Sequence, residues 1–235
     1  MRSHESAESE ADAVVRRYAR RAPGDLYSML RPEVWQAFHE RQRAMIGLLR
    51  RHAPGALNRL RVLEIGCGSG SNLIELIRLG FDPANLVGNE LLPDRVALAR
   101  HNLPAAIGMH AGDACALPFE PASFDIVYQS TVFTSLLDDA FQQQLAAHMW
   151  AWVRPGGGIL WYDFVFDNPR NPDVRGVPLS RIRALFPGAL IDSRRVTLAP
   201  PISRAVVKIH PAAYRWFNAL PLLRSHVLCW IEKKA

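Results

Sequence analysis

The chain has 235 residues, 49% hydrophobic and 21% charged, which suits one α/β domain with a modest extension and excludes a disordered or fibrous chain. No apolar run reaches the roughly 18 residues that a membrane-spanning helix needs. The net charge of +6 is spread over short pairs such as Arg16-Arg17, Arg20-Arg21, Arg50-Arg51 and Arg194-Arg195, with no basic tail to suggest nucleic-acid binding.

Residues 1–12 are polar, with no apolar core of a signal peptide, and read as a disordered tail of a cytoplasmic protein. From 13 to 52 the pattern is helical. Val14, Val15 and Tyr18 share one apolar face, Pro23-Gly24 interrupts, and Pro32 opens a second helix that Pro54-Gly55 ends. This part, residues 1–56, reads as a tail and helical cap before a domain at 57–235. Strand and helix then alternate, with strands at 61–65, 86–89, 106–110, 124–129 and 159–165. Helices fall between them at 71–79, 93–102 and 138–153, the last closed by Pro155-Gly156-Gly157-Gly158. A helix at 179–186, a strand at 190–198, a partly helical connection carrying Pro211 and Pro221, and a strand at 226–232 complete the chain. The pattern predicts a Rossmann-like, doubly wound, mostly parallel sheet of seven strands with a final antiparallel strand. Cys67, Cys115 and Cys229 have neither CxxC nor zinc spacing and read as small buried or semi-buried thiols.

The first strand runs straight into Val62-Leu63-Glu64-Ile65-Gly66-Cys67-Gly68-Ser69-Gly70 and then a helix. Glycines let the backbone turn tightly and let a ligand approach the main chain, and the helix start offers free N–H groups. Such a crevice lies at the carboxyl ends of the strands. A dinucleotide fingerprint needs glycine at the sixth position, which is Ser71 here. Glu64 suits the ammonium of an amino acid and would repel a pyrophosphate.

With these residues the chain resembles the class I S-adenosylmethionine (SAM) dependent methyltransferases over roughly 57–159. The resemblance implies SAM as cofactor and S-adenosylhomocysteine (SAH) as product. It implies that Glu64, Gly66, Cys67, Gly68, Gly70 and Asn72 hold the methionine end. Glu90 would take the ribose hydroxyls, Leu91 would pack on adenine, and Asp113 with Ala114 would read the adenine edge. Gln129 would line the pocket after the fourth strand.

The acceptor is less legible. The Asn/Asp-Pro-Pro-aromatic tetrad of base and glutamine methylation is missing from Gln129-Ser130-Thr131-Val132-Phe133, so no nucleic-acid partner is expected. The polar loop leaving the fifth strand, with Asn168 and Arg175, and the cap residue Tyr27 resemble bacterial polysaccharide and O-antigen methyltransferases. That resemblance implies O-methylation of a sugar hydroxyl on a small-molecule or saccharide substrate. The alternative is a lipid-linked, quinone or other natural-product acceptor. Asp163 is the first candidate general base and His39 the second. Asp163 and Asp167 find no third ligand, so no metal is expected.

Overall fold

The computed structural model describes residues 9–20, 24, 25, 27–53 and 55–234. The expectations for residues 1–8, Pro23 and Pro54 lie outside them. Two helices, α1 (Glu10–Ala19) and α2 (Pro32–His52), precede the sheet. The first helix starts earlier than its apolar face suggests, because Ser9 accepts the Asp12 N–H and caps it. Pro32 occupies the first turn of α2, where its missing N–H is no loss.

The strands are β1 (Val62–Ile65), β2 (Leu86–Glu90), β3 (Gly108–Ala111), β4 (Phe124–Ser130), β5 (Val153–Phe164), β6 (Leu190–Leu198) and β7 (Arg224–Glu232). They form one sheet in the order β3-β2-β1-β4-β5-β7-β6. All neighbours are parallel except β7, which runs against both β5 and β6. The connecting helices are α3 (Ser71–Arg78), α4 (Pro93–Asn102), α5 (Asp139–Trp152), α6 (Leu179–Leu185), α7 (Pro200–Ile209) and α8 (Ala213–Asn218). The expected architecture is what is found, antiparallel last strand included.

Strand five departs from expectation by beginning at Val153, before the glycines. Lys233 ties that segment into the ladder: it accepts the Gly156 N–H and donates to the Gly157 carbonyl. A Cβ at Gly158 would collide with the Trp230 ring. The glycines there serve close packing as well as the turn.

The sheet is buried on both faces. Leu63, Ile65, Val127, Trp161 and Cys229 face one core with α5 and α6. Val62, Tyr128, Leu160 and Trp230 face the other, where Met45, Leu48 and Leu49 of α2 join them. The α2 helix is therefore a wall of the main core, and only α1 lies across the strand ends as a cover. Because β1 to β5 are parallel, Ile65, Glu90, Ala111, Ser130 and Phe164 end at one edge. That edge carries the site.

Candidate active site

At this edge a crevice of about 740 Å3, counting space open to solvent, runs between the glycine loop and α1. Its polar wall is Gly66, Glu90, Gly112, Asp113, Ser130 and Thr131. Its roof is Ala11, Val14 and Tyr18.

The loop is shaped by backbone demands. Gly66, Gly68 and Gly70 have φ of +64°, +59° and +88°, a region that L side chains rarely enter. A Cβ at Gly66 would lie 2.6 Å from Val132 Cγ2, whereas one at Gly68 would meet open space. Glu90, only 4% exposed, accepts the Gly68 N–H at 2.8 Å with one oxygen and the Leu92 N–H at 2.9 Å with the other. One carboxylate thus pins the loop to the end of β2 and keeps lone pairs for a ligand. Asp113 accepts the Cys115 N–H with one oxygen and lines the crevice with Ala114 and Leu91.

Thr131 turns the chain out of β4 at φ +59°, a costly angle for a β-branched residue. Its N–H donates to the Tyr162 carbonyl and its hydroxyl to Ser130 O, which holds it there. Gln129 is fully buried and accepts the Val132 N–H at 3.1 Å, so it supports this loop from beneath.

The roof is strapped down by polar contacts. Glu10 accepts the Leu137 N–H, Arg17 donates to Ser135 O, and the Tyr18 hydroxyl meets the Ser135 hydroxyl. The Arg95 guanidinium lies 4.6 Å from the Tyr18 ring centroid.

Several sequence candidates stand elsewhere. Glu64 shares its strand face with Val62 and lies behind the loop, fully buried. It accepts Asn72 Nδ2 at 2.7 Å, and its other oxygen has no partner. The far side of Asn72 receives Arg41, which also donates to Ser130 Oγ at 3.3 Å. This arginine, which no spacing signal marks, sits 5.1 Å from the Tyr162 ring centroid. Burial pushes Glu64 up to about 7, against the opposing pull of Asn72 and Arg41.

Asp163 sits on the opposite face of β5 from Tyr162, fully buried near Thr134 and Gln129, with no well-formed hydrogen bond to either oxygen. Burial pushes it up to about 7 as well. His39 and Arg41 are two positions apart on α2, about 200° around the helix, so His39 points away from the sheet and packs on Trp35 and Phe38. Neither candidate base lines the crevice. Tyr27 is 89% exposed and lines no part of it either. Asn168 caps its own turn by accepting the Arg170 N–H, and Arg175 pairs with Asp139. Asp167 accepts the Gly176 N–H, and among the described residues no cluster of three or more His, Cys, Asp or Glu is arranged for a metal ion.

The raised carboxyl of Asp163 has a testable consequence. A folded-state value near 7 against an unfolded value near 4 means that the stability is fully present below about pH 4 and is lost as pH rises toward 7. Asp163→Asn removes this loss. Its gain in unfolding free energy over the wild type is expected to be about 2 kcal/mol larger at pH 8 than at pH 5, read by urea denaturation. An equal gain at both values contradicts the assignment.

The crevice fits SAM. The acceptors at Glu90 and Asp113 and the open backbone over Gly68 suit ribose, adenine and a cationic amino acid. Residues 62–157 match the family described as a methyltransferase domain. The chain is 35% identical over 107 residues to the demethylmenaquinone methyltransferase of Deinococcus radiodurans, covering 44% of this chain and 43% of that one. It is 36% identical over 130 residues to phthiotriol/phenolphthiotriol dimycocerosates methyltransferase 1 of Mycobacterium ulcerans, covering 52% and 45%. The chain thus spans less than half the length of these two relatives. Among solved structures, the geranyl diphosphate C-methyltransferase of Streptomyces coelicolor superposes with a TM-score of 0.66 at 14% identity, over 97% of this chain and 99% of that one. At that identity the likeness concerns the fold alone. Residues 62–157 therefore match a methyltransferase domain, on a fold that the chain shares with the geranyl diphosphate C-methyltransferase solved in complex with S-adenosylhomocysteine.

Proposed function

We propose that the chain O-methylates an acidic hydroxyl of a small, largely apolar acceptor of the quinone, phenolic-lipid or related natural-product class. The observation that carries this reading is the crevice wall. Beyond its cofactor-facing acids and a polar rim of Asn89, Ser130, Thr131 and Ser135, it is lined by Val14, Ile65, Val132, Leu136, Phe141 and Leu145. Its titratable side chains are Tyr18, Glu90, Arg95 and Asp113, with no histidine among the described residues there.

In this reading Glu90 holds the ribose diol, Asp113 and Ala114 hold the adenine edge, and the glycine loop faces the methionine end. Bound SAM supplies an electrophilic methyl on a sulfonium. The protein's part is to hold the acceptor oxygen in line with that methyl and to exclude water under α1. With no histidine at the wall, a hydroxyl that ionises by itself is favoured: a phenol loses its proton near pH 10, far more readily than an alcohol. Asp163 and His39 receive no proton-transfer role, because neither stands at the crevice. Similar proteins named demethylmenaquinone methyltransferase, ubiquinone biosynthesis O-methyltransferase and fatty-acid O-methyltransferase support an apolar acceptor.

The saccharide acceptor has less support. It needs polar side chains at the crevice, and neither Asn168 nor Arg175 lines it.

Incubation with methyl-labelled SAM and a mixed panel of prenylated quinols, phenolic lipids, fatty acids, nucleotide sugars and oligosaccharides tests the choice. Label is expected in the quinol or phenolic-lipid fraction. Label confined to the sugars rejects the proposal.

A further inference from the structure

The connection between β6 and β7 does not line the cofactor crevice. It leaves the sheet at Leu198. Since β6 is antiparallel to β7, and β7 to β5, β6 runs parallel to β5 and ends at the same edge as the crevice. There the chain folds into α7, α8 and a short turn, Pro221–Leu223, before returning at Arg224.

The inner side of this hairpin is firmly seated. Val206 and Tyr214 pack with Leu198 into a small third core. The Tyr214 hydroxyl donates to Glu40 of α2 at 2.9 Å and accepts the Leu198 N–H. The hairpin is thus fixed in place, and what it turns outward is not loose core. Outward stand Ile209 at 83% exposure, Trp216 at 79%, Leu220 at 57% and Leu222 at 93%, with Phe217 beside them. Such a cluster is far from the scattered single apolar residues of an ordinary surface.

Charge says what covers it. Residues 199–224 contain Arg204, Lys208, Arg215 and Arg224 and no aspartate or glutamate. Arg204, Lys208 and Arg215 are exposed among the apolar side chains. Of the acids of α2, Glu33 pairs with Arg31 and also feels Arg204, and Glu40 accepts from Thr197 and Tyr214. A helical surface with aromatic and aliphatic tips between basic residues matches the boundary layer of an anionic bilayer, where apolar tips enter the acyl region and cations meet the headgroup phosphates.

We propose that the hairpin at 199–224 docks the protein on an anionic phospholipid surface, with the crevice edge turned toward the membrane. This inference stands on the hairpin alone, and its test needs neither cofactor nor acceptor, so it fails separately from the reading of the crevice.

The test is co-sedimentation of the full chain with vesicles of phosphatidylcholine alone and of phosphatidylcholine with phosphatidylglycerol. Binding is expected to the second, weakened by high salt. The double variant Trp216→Ala/Leu222→Ala is expected to bind about ten-fold more weakly or worse, since it removes buried apolar area. Lys208→Gln/Arg215→Gln is expected to lose the preference for phosphatidylglycerol. All four residues are exposed, so thermal unfolding of both variants should match the parent. Absence of vesicle binding, or equal binding by parent and variants, overturns the proposal. So does a parent dimer that the apolar variant converts to monomer, which would make the patch a contact between copies of this chain.

Discussion

Glu90→Ala is expected to weaken SAH binding by about two orders of magnitude while leaving the fold in place. The side chain has two tasks at once. It takes the N–H groups of Gly68 and Leu92, and it is the group proposed to receive the ribose hydroxyls. A hydrogen bond to a charged acceptor contributes about 1.5–3 kcal/mol. Loss of the diol contact alone therefore accounts for roughly ten- to hundred-fold, since 1.4 kcal/mol is a factor of ten. A loosened Gly68 adds to this, because the loop must be set before a ligand can approach it. Glu90→Gln keeps an acceptor oxygen and should fall between the two. Isothermal calorimetry reads the affinities and circular dichroism the fold. A change below about five-fold in Glu90→Ala would remove the ribose role.

Arg41→Met is expected to cost more stability at pH 8 than at pH 5.5, by up to about 1.4 kcal/mol, the most that a carboxyl with a value near 7 gives up before it takes a proton instead. The guanidinium is buried between Tyr162, Asn72 and Ser130, and its charge opposes the desolvation of Glu64. Removing it raises Glu64 further. The deficit should therefore shrink on acidification, when Glu64 takes up a proton and no longer needs the cation. Urea denaturation at pH 8 and pH 5.5 checks both the size and the sign. Since Arg41 also holds Ser130 at the end of β4, SAH affinity should fall as well. A deficit that is the same at both pH values would mean that Arg41 acts by packing alone.

The element pattern and the cofactor motifs were the readable part of the chain. Glycine spacing, an acid closing β2 and an aspartate after β3 are local signals, and each lands at the crevice edge because parallel strands end together. The acceptor side was not readable in the same way. Its walls come from α1, the loop after β4 and α5, which meet only in three dimensions. Arg41 looks like any helix-surface arginine in sequence, yet the fold buries it against Ser130. Asp163 looks like a base at a strand end, but strand alternation turns it away from Tyr162 and under Gln129. His39 shares a helix with Arg41 and faces the other way. Asn168 and Arg175 advertise polarity, which the loop uses to hold its own turn and to reach Asp139. In the hairpin at 199–224 the sequence does not say which apolar residues pack inward, and the fold leaves Trp216 and Leu222 outside.

The central claim is that the crevice under α1 takes SAM through Glu90 and the glycine loop. Calorimetric titration of the full chain with SAH, with NAD as the control, tests it most directly. Micromolar binding of SAH with no heat from NAD, lost in Glu90→Ala, is the predicted result. Binding of NAD without SAH, or SAH affinity indifferent to Glu90, would contradict it.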